Sequence, residues 1–238
     1  MKRARFYFDG YNIYHGICRT KDKTLLWLDL FEFGKSLLHE DEYLDKLYFF
    51  TSLPAENKTS YPHHVEYLNL LLNLDPNSLL RIIYGRQGKV ERRCRRLSCG
   101  GRNAKITEEK EIDVAVGVQI VRDCLLDKVD VVHLVTGDTD LNPALVVVHN
   151  ERPEVRIVVH TPPKGGIGIE KPFVETRHLI PEMLAPYRAA KVLLFEPRGS
   201  LQMPESWNTD SEVTPYPPTQ IELVEMKTRK LRCDLPKR

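Results

Sequence analysis

Asp9 directly follows the apolar run Phe6-Tyr7-Phe8, and Asn12 stands three residues on. Asp138 and Asp140, two residues apart, follow Val131-Val132-His133-Leu134-Val135 and the turn residue Gly137. Between these pairs in the chain, Glu109 and Asp113 flank Lys110-Glu111-Ile112. Each group has a purely structural use. Asp9 or Asn12 can cap the helix that follows, Asp138 and Asp140 can form a simple acidic turn, and Glu108 and Glu109 suit the positive end of a helix dipole. Asn142-Pro143, however, already reads as an N-cap and a first helical residue, which leaves Asp138 and Asp140 without that task. Asp113 has none either, since it flanks the apolar stripe Ile112, Val116 and Ile120. Two carboxylates about 4 Å apart repel by roughly 4 kcal/mol at intermediate dielectric unless a cation neutralises them. Hard oxygen ligands suit Mg²⁺ or Mn²⁺. Such an ion lowers the pKa of bound water and stabilises both oxygens of an in-line phosphoryl displacement.

The 238 residues carry 35 Lys+Arg against 33 Asp+Glu, a net charge of only +2. That total conceals a local imbalance. Arg81 to Lys110 holds ten basic residues against Glu91, Glu108 and Glu109, a local +7. Arg86, Lys89, Arg92, Arg93, Arg95, Arg96, Arg102, Lys105 and Lys110 form a candidate grip on a polyanionic backbone; the competing interpretation is a solvated hairpin. A basic grip beside clustered acids assembles into a metal-dependent nuclease, which works by positioning and electrostatics and needs no Ser/His/Asp nucleophile.

The elements that must position these groups follow from the apolar runs. Residues 5–8, 46–53, 79–84, 129–135 and 155–160 read as strands, and the spacing predicts helices over 64–74 and 107–126, the latter capped by Thr107 and carrying Glu109 and Asp113 one turn apart. Strands alternating with helices predict an α/β fold with a mainly parallel sheet. Ligands in such sheets lie beyond the carboxyl ends of the strands, where the acids stand. Gly10 is expected to let the chain turn sharply after Asp9. From about Glu196 the chain becomes proline-rich and aperiodic, so a domain over 1–190 is followed by a C-terminal extension, 191–238, expected to be extended and partly disordered, with one short strand at 221–226. No run is long enough to span a bilayer, no signal-peptide pattern is present, and five irregularly spaced cysteines suit a reducing, cytoplasmic setting.

Asp9-Gly10-Tyr11-Asn12-Ile13-Tyr14, Glu109-Lys110-Glu111-Ile112-Asp113-Val114 and Thr136-Gly137-Asp138-Thr139-Asp140-Leu141 resemble, in this order, the three signatures of NYN domains, relatives of the PIN-like nucleases. The resemblance spans roughly residues 4 to 185. It implies a three-layer α/β/α PIN-like (Rossmann-like) fold and a metal-dependent endoribonuclease that leaves a 5′-phosphate and a 3′-hydroxyl. By the same resemblance Asp9, Asp113, Asp138 and Asp140 form the acidic metal site, and Asn12 orients the first loop or the substrate. One departure is visible: Glu111 stands where the second signature more usually continues Gly-x after its lysine.

Two other functions compete. A non-catalytic RNA-binding or scaffolding module would use the same basic grip. A haloacid-dehalogenase-like phosphatase would use Asp9 as nucleophile, but needs an acid two residues later, where Tyr11 stands. Cys94 and Cys99 lack two further local ligands for a structural zinc site and read instead as oxidisable thiols in a basic loop. His63-His64 reads as a polar surface pair, and Trp27, Tyr48 and Phe49 as core. RNA is the expected partner, no membrane is expected, and a homo-oligomer is left open.

Overall fold

Apolar runs become parallel strands when helices cover both of their faces. The computed structural model describes residues 1–208 apart from 57, 76, 94–102, 167 and 196–198. Its elements, in chain order, are β1 (Lys2–Asp9), α1 (Gly10–Cys18), α2 (Leu30–Leu37), β2 (Glu42–Thr51), α3 (Ser60–Asn73), β3 (Leu80–Tyr84), β4 (Arg86–Arg93), β5 (Asn103–Lys110), α4 (Ile112–Leu126), β6 (Val131–Val135), α5 (Asn142–Glu151), β7 (Arg156–Thr161), β8 (Val174–His178), α6 (Pro181–Leu184), β9 (Val192–Phe195) and β10 (Gly199–Gln202). Short 3-10 turns occur at Lys23–Leu26, Thr139–Leu141, Ala185–Tyr187 and Glu205–Trp207.

Six strands form one sheet in the order β3-β2-β1-β6-β7-β8, with every neighbouring pair parallel. Strand alternation divides their side chains between two cores. Phe6, Phe8, Leu47 and Phe49 pack with Ile17 of α1, Phe33 of α2 and Leu68 of α3. Tyr7, Phe50, Leu134 and Val159 pack on the other side with Val116 and Ile120 of α4 and Leu145 and Val148 of α5. The result is three layers, helices on both faces of a parallel sheet, as in Rossmann-like folds. Trp27, Tyr48 and Phe49 are all buried core residues.

The sheet grows outward in both directions from β1 and β6, so the connections leave these two neighbours toward opposite faces. Such a reversal opens a crevice beyond the carboxyl ends of the two strands. Phe8 pairs with Val135 in the register, which brings Asp9 level with Thr136 at that edge.

Several expectations require correction. The helix expected from Thr107 begins only at Ile112. Residues 103–110 form instead the second strand of an antiparallel hairpin, Arg86 opposite Lys110 and Arg93 opposite Asn103. Backbone pairing with β4 overrides the capping pattern of Thr107 and its glutamates, so Glu109 and Asp113 do not share a helix face. The extension expected from 191 starts with packed structure: β9 and β10 form a hairpin, and Leu193, Leu201, Met203 and Trp207 join the core of α1 to α3. The strand expected at 221–226 lies outside the described residues. Among the described residues no helix is long and apolar enough to cross a membrane.

Candidate functional site

Asp9 ends β1 with its side chain 1% exposed. Its Oδ1 accepts the main-chain N–H of Asn12 at 3.0 Å, and its Oδ2 accepts from Asn12 Nδ2 at 2.6 Å and from Thr136 Oγ1 at 2.8 Å. Asp9 therefore caps α1 and also ties β1 to the segment after β6. Burial raises its carboxyl above the usual range, opposed by these hydrogen bonds and reinforced by the charge of Asp138. Gly10 serves a close approach: a Cβ there would lie 2.7 Å from the Phe50 carbonyl oxygen and 2.8 Å from Phe49 Cζ.

Thr136 Oγ1 accepts from the N–H of Asp138 at 3.1 Å, and Asn12 Oδ1 accepts from the N–H of Gly137 at 3.4 Å. Asp138 Oδ1 in turn accepts from the N–H of Asp140 at 2.8 Å and caps the 3-10 turn at 139–141. This corrects the sequence reading of α5. The helix is entered through that turn, so Asp138 does have a capping role, while Asn142 Oδ1 is buried with no hydrogen-bond partner. Asp138 is half-buried and Asp140 exposed.

Asp113 lies in the first turn of α4 and is exposed. Partial desolvation raises its carboxyl first, followed by the charges of Asp138, Asp9 and Asp140. Glu109, on β5 opposite Gln87, is half-buried. Burial pushes its carboxyl up to about 7; Ser52, through its hydroxyl and main chain, opposes this, and Asp9 and Asp113 add to it. Elements far apart in the chain thus bring Asp9, Glu109, Asp113, Asp138 and Asp140 within electrostatic reach at one edge of the sheet.

Among the described residues, no three His, Cys, Asp or Glu side chains converge closely enough to hold a metal ion. The acids form an open cluster rather than a closed chelate. Its all-carboxylate donor set suits a hard cation, and Mg²⁺ commonly keeps several waters and binds through one or two carboxylates and a substrate phosphate instead of a protein cage. Between β5 and α4, Glu111 has φ 77°, in the left-handed region, and pairs with Arg86. The departure from Gly-x thus falls on a backbone conformation that glycine adopts without strain.

Arg86 and Lys89 are exposed on β4 and Lys110 on β5. Strand alternation puts position 89 on the hairpin face shared with Gln87 and Glu109, and positions 86 and 110 on the other; the side chains of Arg92, Arg93 and Lys105 lie outside those described. Arg95, Arg96, Arg102, Cys94 and Cys99 lie outside the described residues. The His63-His64 reading also changes: both residues are half-buried, and the rings of His64 and Tyr14 lie 5.8 Å apart. Sequence reasoning missed Thr136 and Ser52, although both follow apolar strands at the carboxyl edge, the location that drew attention to the acids.

No family model matches the chain. It is 29% identical over 195 residues to 6-hydroxy-3-succinoylpyridine 3-monooxygenase HspA of Pseudomonas putida; the match covers 68% of this chain and 60% of that protein. The chain thus spans less than two thirds of that relative's length. Among solved structures, a protein of unknown function from Vibrio parahaemolyticus superposes with a TM-score of 0.41 and 15% identity, over 67% of this chain and 81% of the other.

Proposed function

We propose that the protein is a metal-dependent endoribonuclease using Mg²⁺ or Mn²⁺. The observation that carries this reading is the open cluster of five acids at the carboxyl edge, of which Asp9, Glu109 and Asp113 are raised by burial and in part by their neighbours' charge, beside a hairpin bearing Arg86 and Lys89. A bound divalent cation supplies a low-pKa water and neutralises charge on the phosphodiester. Asp113, Asp138 and Asp140 are the acids accessible enough to hold it. Asp9, enclosed and hydrogen-bonded on both oxygens, fixes the first turn of α1, which carries Asn12, to the segment that carries Asp138. Glu109, whose carboxyl is pushed up to about 7, can hold or release a proton beside them near neutral pH. Lys89 shares Glu109's hairpin face and supplies a position for the RNA backbone. The enclosure of Asp9 also argues against its use as a phosphatase nucleophile.

The purified chain should cleave RNA with Mg²⁺ or Mn²⁺, and Asp113→Asn and Asp138→Asn should each abolish cleavage while retaining the circular dichroism of the parent. Asn at 138 still offers an oxygen to the 139–141 turn. Cleavage unchanged in both variants refutes the assignment. RNA binding without turnover at any metal concentration refutes it in favour of a binding module.

The name of the Pseudomonas relative favours a second reading, monooxygenation of a small pyridine. A nicotinamide or flavin dinucleotide on this strand order would place its phosphates at the N-terminus of α1. There the Asp9 carboxyl already accepts the Asn12 N–H, and its charge would repel phosphate. Oxygen uptake dependent on added flavin or NADH would reverse the preference for hydrolysis.

A further inference from the structure

A cleft opens beside the acid cluster, bounded by α1, the segment after β2, α3 and the base of the β4–β5 hairpin. Glu109 and Gln87, paired across the hairpin, form one wall, and Tyr11, Tyr14, His15 and His64 contribute rings. The rings form a continuous series: Tyr11 and His15 centroids are 4.2 Å apart, Tyr14 and His15 5.3 Å, and Tyr14 and His64 5.8 Å. A deeper apolar pocket adjoins it and shares Gly10, Tyr14, Thr51 and His64. Tyr11 is 51% exposed at the mouth, although a tyrosine ring gains by burial. The rings have no part in the acid chemistry above; Glu109 alone belongs to both the cleft and the acid cluster.

We propose that this cleft is a base-binding subsite: it takes one unpaired base of a single-stranded RNA, stacked on the exposed Tyr11 ring, which the His15 ring meets edge-on at 64°, with its polar edge toward Gln87 and Glu109, next to the phosphate presented to the acids. Single-stranded RNA is recognised by such stacking of splayed bases on aromatic side chains, whereas a paired base inside a helix is not free to enter a cleft. Glu109 supplies an acceptor and Gln87 both an acceptor and a donor, so the edge meets polar partners while the face meets rings. The same subsite places the neighbouring phosphate beside Asp113 and gives the enzyme a single-strand preference. This inference depends on RNA being the ligand, as in the proposed function, but not on its being cleaved.

The test uses the full chain without metal and a short single-stranded oligoribonucleotide carrying one 2-aminopurine, alongside the same strand in a duplex. Binding of the single strand should change the 2-aminopurine fluorescence, and the duplex should bind more weakly without that change. Tyr11→Ala should weaken single-strand binding by about 5- to 150-fold, the range of one base–aromatic stack. It should leave duplex binding, which depends on phosphate contacts, unaltered. Tyr11→Phe should bind like the parent, as should Tyr43→Ala, which removes an exposed tyrosine elsewhere. Equal binding of single strand and duplex, or Tyr11→Ala and Tyr11→Phe both matching the parent, overturns the subsite. Cleavage with Mg²⁺ that persists in that event leaves the hydrolase reading standing. Binding as expected without cleavage removes the hydrolase and leaves the subsite.

Discussion

Acid should unfold this protein through a buried histidine pair, and His160→Gln should remove a measurable part of that sensitivity. His160, fully buried in β7, faces His133 of β6 with Nε2 and Nδ1 3.0 Å apart. His133 Nε2 reaches Glu42 Oε2 at 3.1 Å, and Arg156 donates to the other oxygen of Glu42 at 2.9 Å. His160 Nδ1 is buried with no hydrogen-bond partner. Burial, then the charges of His133, Arg177 and Arg156 against that of Glu42, depress the His160 imidazole from 6.5 to about 3. Between those values the unfolded chain binds a proton that the folded chain refuses, so stability is intact above about 6.5 and falls as the pH drops toward 3. One such group costs about 1.4 kcal/mol per pH unit, or about 2 kcal/mol by pH 5. His133 is depressed chiefly by burial and acts in the same direction. Glu42 is held down to about 2 because hydrogen bonds from His133 and from the His39 main chain outweigh burial, so its contribution is lost only below about 4.5. The assay is urea denaturation at pH 7.0, 6.0, 5.5 and 5.0. His160→Gln retains a polar partner for His133 and does not titrate. It should flatten the slope of unfolding free energy against pH by close to one proton below pH 6, whatever its stability at pH 7. Identical slopes for the parent and His160→Gln would refute the reasoning.

Substitutions at two further positions examine the crevice and the junction before α4. Thr136→Val keeps the side-chain volume but removes the donor to Asp9 and the acceptor for the Asp138 N–H, so it should destabilise by about 1–3 kcal/mol; calorimetry giving less than 0.5 kcal/mol contradicts this role. At Glu111, glycine should be more stable than alanine by about 1 kcal/mol, because only alanine retains the left-handed strain while both lose an exposed pair with Arg86 worth at most about 1 kcal/mol. Denaturation midpoints that place Glu111→Ala at or above Glu111→Gly reject the strain argument.

Strand-end acids were legible because apolar runs buried on both faces end abruptly at Asp9 and after Val135, which locates the carboxyl edge without any tertiary information. Glu109 was misplaced for a physical reason. Thr107-Glu108-Glu109 satisfies the local pattern of a helix start, but residues 103–110 pair with 86–93, and that non-local ladder decides the outcome. The left-handed turn at Glu111, which separates strand from helix, would have been marked by a glycine; a glutamate conceals it. The capping of α5 was misassigned because Asn142-Pro143 looks complete by itself, whereas Asp138 supplies the preceding turn through a bond two residues earlier in the loop. The aromatic cleft was invisible for a different reason: Tyr11, Tyr14 and His15 lie on α1, but Gln87, Glu109 and His64 arrive from three other elements, and no spacing in the sequence records that meeting.

The acids at this edge do not have equivalent roles, although their residue types are nearly the same. A carboxyl 1% exposed is costly to desolvate, and that cost is tolerable only where donors surround it. Asp9 has three, from both sides of the point where the strand order reverses: two from Asn12 in the first turn of α1 and one from Thr136 in the segment after β6. Thr136 then passes the constraint to Asp138, and Asp138 to Asp140, through successive main-chain N–H groups. Moving Asp9 would therefore shift the two acids beyond it, whereas Asp113 arrives on α4 through a separate path. Asp9 is best understood as the positioning residue of the crevice, and Asp113, Asp138 and Asp140 as the more accessible acids, the ones that the proposed cation and phosphate would meet.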